Sequence, residues 1–234
     1  MVKVKARNHA LYFVGVLSYL VSLIPFYSIN AIRSLILIPI LVYTLPILEY
    51  LQPKISIIRL SYKDFLLIIL AGIPYLFIKP SIFIFIPLLL IFITLWLFYV
   101  KNAMWGNVLG TTFLASLSIV WSIFVDNNFI LPSIYWILYI FTGALYVEYK
   151  IPYRKLDKKV VEVSWVISVI ILIILSVKTP LMLITLLEPS TRYLLPGAKL
   201  SSAKEIGKLG RRGIKRDIFF VILLILTGTL TFLL

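Results

Sequence analysis

The chain has 234 residues, 62% of them hydrophobic, a mean hydropathy of +1.06 and a formal net charge of +14. A soluble domain is only about half apolar, so this composition predicts one membrane domain over residues 1–234 with no soluble domain beside it. With no cysteine and a single histidine, His9, the chain supplies no disulfide, haem-thiolate, iron–sulfur cluster, cysteine nucleophile or multi-histidine metal site, and no metal or cofactor is assigned from its residues.

The first apolar run, 10–30, follows Lys3, Lys5 and Arg7 and looks like a signal peptide. No small-x-small cleavage site follows it, which predicts a retained first helix. His9 stands where that helix enters the bilayer. It is a polar helix-end residue that, beside Arg7, suits contact with a headgroup or proton carriage near neutral pH. The second run, 34–51, holds Pro39 and Pro46, which are expected to break its helix pattern. The third, 65–78, is the weakest, since its apolar part reaches only about 21 Å. It must begin near Tyr62 or pair with the fourth run, 81–100, as a shallow hairpin. The fifth, 108–125, has Gly106-x-x-x-Gly110 at its start, a spacing that lets a neighbouring helix approach closely. The sixth, 129–147, carries Pro132 one turn in, where proline is tolerated. The seventh, eighth and ninth are 160–177, 179–195 and 218–234.

The expected architecture is therefore an all-α, polytopic integral membrane bundle of about nine transmembrane helices. Its orientation follows from the basic residues. Of 23 lysines and arginines only Arg33, Lys79 and Lys178 fall in the even-numbered gaps between runs, which leaves 20 on the other side. Basic residues translocate poorly, so the N-terminus is expected in the cytoplasm, the C-terminus outside and the chain in the plasma membrane. The outer loops are tiny. The inner loops at 52–64, 101–107, 148–159 and 196–217 are longer, which places chemistry or partners at the cytoplasmic face or within the bilayer.

The eighth run is the most unusual. Glu188 lies roughly 13 Å from its outer end at helical rise, and an ionisable group at that depth is costly and marks a functional site by default. Arg192 is four residues on, shares its face and is expected to pair with it. Pro189 removes a backbone donor and frees the carbonyl of Thr185. A structural ion pair at a kink near the cytoplasmic surface is the plainer alternative.

Ahead of the ninth run, Ile206, Leu209, Gly210, Gly213 and Ile214 recur at helical spacing, with Lys204, Lys208, Arg211, Arg212, Lys215 and Arg216 between them. That pattern predicts an amphipathic helix lying on the membrane, with Ser202-Ala-Lys-Glu205 as a capping box. It reads as an interfacial anchor, or as a clamp on an anionic headgroup. The carboxylates Glu49, Asp64, Glu148, Asp157, Glu162, Glu205 and Asp217 read mainly as helix-end residues, and no two are spaced like metal ligands on one helix face. One glutamine, three methionines and many charged loop residues suit a thermophile.

Three patches, Arg7-Asn-His9-Ala-Leu-Tyr, then Tyr139-Ile-Phe-Thr-Gly143-Ala-Leu-Tyr146-Val147-Glu-Tyr-Lys150, then Glu188-Pro-Ser-Thr-Arg192 with Lys204-Glu-Ile206-Gly207, resemble the YwiC-like family of small polytopic membrane proteins. That family's opening motif His-Gly-Ala-Trp stands here as His9-Ala10-Leu11-Tyr12. The nine-span plan with enlarged inner loops is also similar to the UbiA group of intramembrane prenyltransferases. Those enzymes hold a prenyl diphosphate through magnesium and two aspartate-rich motifs in these loops. Here the loops offer only Glu49 with Asp64 and Glu148 with Asp157, so the scaffold likeness carries no catalytic residues with it.

The favoured expectation is a protein that binds or processes an isoprenoid or anionic lipid at a basic inner face. Its candidate headgroup residues are Arg7, His9, Arg154, Glu188, Arg192, Lys208 and Arg211. Whether it is an enzyme is left open. The alternatives are a non-catalytic membrane subunit or anchor, with a membrane-protein partner, and a small-solute transporter. Membrane lipids are the expected counter-charge at about 1 kcal/mol per basic residue, and nucleic acid is not.

Overall fold

The computed structural model describes residues 9–202, 205–231 and 233, and among these it is helix and loop without strand. The order is α1 (His9–Ser22), α2 (Ala31–Ser56), α3 (Tyr62–Gly72) continued by a 3-10 turn Ile73–Phe77, a second 3-10 turn Ile82–Ile84 leading into α4 (Phe85–Tyr99), α5 (Ala103–Phe124), α6 (Leu131–Lys150), α7 (Lys158–Leu175), a 3-10 stretch Pro180–Leu186 running into α8 (Leu187–Tyr193), and α9 (Ile206–Leu230). Four of these, Ala31–Ser56, Ile82–Tyr99, Ala103–Phe124 and Leu131–Lys150, are long and apolar enough to cross a membrane.

The core is built on α5 and α6 with α1 laid against both, and Ala115, Ile119, Tyr135, Trp136 and Leu145 are fully buried there. α3 and α4 lie at the edge and turn Phe65, Ile69, Leu88, Phe92 and Trp96 outward. A face that apolar is a membrane or protein contact surface, not a water-facing one.

Three elements depart from the sequence reading. α1 stops at Ser22, well short of residue 30, because the residue before Pro25 disfavours the α region. Asn127 then satisfies the freed carbonyls, donating from Nδ2 to the Ser22 and Ile24 oxygens at 2.9 and 2.6 Å. α2 is not broken by its prolines. It runs 26 residues straight through Pro39, Pro46 and Pro53, as helices in lipid do when neighbouring groups keep the backbone satisfied. α9 is one helix where a surface helix and a separate span were predicted. Nothing between Ile214 and Ile218 breaks it, and the half-buried stripe Ile206, Leu209 and Ile214 continues into buried Phe220, Val221 and Leu224.

The weak third run begins at Tyr62, and its helix is not among the four long enough to cross. The 3-10 turns lengthen the short elements, since they rise about 2.0 Å per residue against 1.5 Å. Seven 3-10 residues followed by the seven of α8 therefore reach about 25 Å.

At one end of the bundle Asp126 Oδ1 meets Arg33 Nη1 at 3.0 Å and Lys79 Nζ at 2.7 Å, joining the first turn of α2 to the α3–α4 and α5–α6 connections. Lys79, then Arg33, hold this carboxyl below the ordinary carboxylate range. At the other end Tyr12 donates to Glu49 at 2.6 Å, and Asp64 takes Lys54 at 2.6 Å and the Ser61 N–H at 2.7 Å.

The Gly106-x-x-x-Gly110 spacing faces α4. A Cβ at Gly106 would lie 2.6 Å from the Phe98 ring, whereas one at Gly110 would stand 3.5 Å from Thr94. Overpacking of this kind typically costs about 1–3 kcal/mol. Gly106→Ala is therefore expected to lower the unfolding midpoint of the purified protein in detergent, and Gly110→Ala to leave it where it is.

Candidate functional site

The densest polar cluster joins α6, α8 and α9. Tyr139 of α6 donates its hydroxyl to Asp217 Oδ1 of α9 at 2.8 Å and accepts from Arg192 Nη2 of α8 at 3.0 Å. The same Nη2 donates to the Tyr193 hydroxyl at 2.6 Å. The Arg192 guanidinium carbon sits 4.3, 5.4 and 5.7 Å from the ring centroids of Tyr193, Tyr139 and Tyr146. Such cation–π contacts strengthen when water is excluded.

The rings are themselves locked. Tyr139 stacks on Phe220 with centroids 3.9 Å apart and planes within 8°. Tyr193 is edge-on to Trp165 at 5.1 Å, and Trp165 Nε1 donates to Ser190 Oγ at 3.0 Å. Gly143 makes room for this, because a Cβ there would meet the Tyr193 hydroxyl at 2.9 Å.

The expected Glu188–Arg192 pair is not made. Glu188 Oε1 faces Arg216 Nε of α9 at 3.4 Å, and Arg192 spends its Nη2 on the two tyrosines. α9 passes close enough to offer Arg216 to the carboxylate, and Tyr139 and Tyr193 turn the guanidinium aside. Two arginines, Arg192 and Arg216, and two carboxylates, Glu188 and Asp217, then stand in one cluster with their formal charges balanced.

The other candidates lie apart from it. Arg154 belongs to a clamp where α6 ends, its Nε 3.0 Å from Glu148 Oε2 and its carbonyl accepting from Lys199 Nζ. Tyr149 and Lys150 donate to the carbonyls of Gly197 and Ala198 at 2.6 and 2.5 Å. Gly197 turns the chain there with φ +65°. Lys208 and Arg211 are exposed on the first half of α9 with Arg212 and Lys215, and none of the four forms an ion pair among the described residues. A Cβ on Gly207, Gly210 or Gly213 would meet open space. The start of α9 is held by Ser201, which donates from N and Oγ to Glu205 at 3.3 and 3.0 Å, one residue before the capping box expected at Ser202. Arg7 and the side chain of His9 lie outside the described residues.

A separate apolar cavity of about 100 Å³ opens between α1, α2, α4 and α5. Leu11, Leu48, Leu95 and Leu114 line it together with the polar side chains Gln52, Thr94, Asn107 and Thr111. Among the described residues no group of three or more His, Asp or Glu is placed to hold a metal ion.

Tyr139, Tyr193, Arg216 and Asp217 are the cluster members that the sequence reading did not pick out. One signal pointed to the first. Tyr139, Gly143 and Tyr146 fall at i, i+4 and i+7 on α6, one polar-aromatic face with a gap in its middle. That stretch and Glu188–Arg192 are two of the patches that carried the family resemblance, and they meet in space through Tyr139 and Arg192. Compared with protein-family models, curated proteins and solved structures, the chain matches none.

Proposed function

We propose that the chain is a nine-span protein of the plasma membrane, N-terminus inside and C-terminus outside, that binds an isoprenoid or anionic lipid at its basic cytoplasmic face. The observation that carries this reading is the row Lys208, Arg211, Arg212 and Lys215, exposed and without ion pairs among the described residues, directly ahead of the buried apolar half of α9. A cation near an anionic leaflet contributes about 1 kcal/mol. The balanced cluster around Arg192 is the weaker headgroup candidate, because a phosphate brought there would meet two carboxylates. The cavity between α1, α2, α4 and α5 is lined mainly by apolar side chains, as a lipid chain would require.

The orientation draws support from the opposite end. Two of the three basic residues assigned outside, Arg33 and Lys79, share the single carboxylate Asp126. On α9 the row Lys208, Arg211, Arg212 and Lys215 has no such partner among the described residues.

The test is a native mass spectrum of the protein released from vesicles holding equal amounts of an anionic and a zwitterionic phospholipid. Wild type is expected to retain the anionic lipid. Lys208→Gln with Arg211→Gln should lower that retention about 30-fold, from two cations at about 1 kcal/mol each. Equal retention of both lipids by wild type would sink the reading.

A further inference from the structure

Arg192 Nε and Glu188 Oε2 are both shut off from solvent, and neither has a hydrogen-bond partner among the described residues. Native proteins seldom leave buried polar atoms in that state, and each such atom calls for a water, an ion or a ligand. Here the two are a donor and an acceptor, four residues apart on one face of α8, where such side chains are neighbours. They do not meet each other, because Arg216 holds the other oxygen of Glu188 at 3.4 Å and the tyrosines hold Nη2 of Arg192 at 3.0 and 2.6 Å.

The chemistry of what fits between them is narrow. A phosphate or carboxylate would satisfy Arg192 and repel Glu188. An ammonium or metal cation would do the reverse. Arg192, Arg216, Glu188 and Asp217 already balance, so a charged guest would leave one charge unpaired in a desolvated place. A hydroxyl both accepts and donates, so it can take the Nε–H of Arg192 on its oxygen and give its own proton to Glu188 Oε2. We propose that Glu188 and Arg192 hold one hydroxyl group between them, from a water molecule or from the alcohol end of a membrane lipid.

Lateral access is available. The Glu188 side chain is 28% exposed although Oε2 itself is covered, and its neighbours Ile184, Leu187 and Thr191 are exposed on the same side of the helix. The chain of a lipid alcohol would lie along Ile184 and Leu187 with its polar end turned inward. This site shares no residue with the basic row on α9 and does not depend on it.

The probes are a saturated C20 primary alcohol and its methyl ether, offered to the full-length protein in zwitterionic nanodiscs, with retention read by native mass spectrometry. A tenfold or greater preference for the alcohol, lost in Glu188→Gln, assigns the hydroxyl to a lipid. No preference assigns it to water and then requires a crystal structure from a lipidic mesophase to show one ordered water within hydrogen-bond distance of both Nε and Oε2. If that structure instead shows the two atoms bonded to each other or to other protein groups, or no oxygen between them, the proposal is overturned. Retention of anionic lipid through Lys208 and Arg211 is a separate reading that neither result moves.

Discussion

Arg192→Ala is expected to destabilise the protein by about 3–5 kcal/mol, the range for removing one partner of a buried charge network. The cost comes from what is left behind. Asp217 is left on α9 with only the Tyr139 hydroxyl donating to it. Tyr139 and Tyr193 both lose the donor that now stands 3.0 and 2.6 Å away. The three rings around the guanidinium are left around a gap. Arg192→Lys should fall between alanine and wild type, because an ammonium restores the charge without the planar fork that reaches two hydroxyls at once. The informative variant is the double one. If stranded charge is the main penalty, adding Asp217→Asn to Arg192→Ala should recover at least about 1 kcal/mol, although Asp217→Asn alone destabilises. Denaturant titration of the purified protein in mild detergent reads all four. Additive losses would show that Arg192 and Asp217 are not coupled.

How much of this could be read from residue order differs between the scaffold and the site. Each of the nine apolar runs has an element at its place, because long stretches of Ile, Leu, Val and Phe bounded by polar residues leave few alternatives to helix. The errors fell where lipid or a distant side chain changes local rules. Proline inside α2 is a breaker in water and is tolerated where the backbone stays satisfied in a bundle. α1 ends ahead of Pro25, and the donor that satisfies the carbonyls freed there, Asn127, is more than 100 positions away. In the site, Glu188 and Arg192 stood out as charges inside an apolar run, and that signal is local. Their partners gave none of comparable strength. Asp217 looked like an ordinary helix-end carboxylate, Arg216 like one more cation of the expected surface helix, and Tyr139 was one tyrosine among 14. The i, i+4 rule predicts that Glu188 and Arg192 can touch. It holds no information about the competing groups on α6 and α9 that draw them apart.

The second large effect is expected at Tyr139, and it separates the two tyrosines that Arg192 binds. Tyr139→Phe keeps the ring stacked on Phe220 and removes only an oxygen. That oxygen serves two charged partners, accepting from Arg192 and donating to Asp217 at 2.8 Å. Hydrogen bonds to charged groups are worth about 1.5–3 kcal/mol in soluble proteins, whereas those measured between membrane helices run lower, up to about 1.7. Losing both should destabilise by about 2–3 kcal/mol. The Tyr193 hydroxyl accepts from Arg192 and makes no bond to Asp217, so Tyr193→Phe should cost about half as much. Gly143→Ala tests the same hydroxyl from the other side, since its Cβ would crowd the Tyr193 oxygen at 2.9 Å. In the Tyr193→Phe background that crowding is relieved, and the alanine should then be nearly silent. The order of unfolding midpoints expected in detergent is wild type above Tyr193→Phe, and Tyr193→Phe above Tyr139→Phe. Equal midpoints for the two phenylalanine variants would mean that the bond to Asp217 contributes nothing. The Tyr139 hydroxyl would then act through Arg192 alone, as the Tyr193 hydroxyl does, and would not tie α6 to α9.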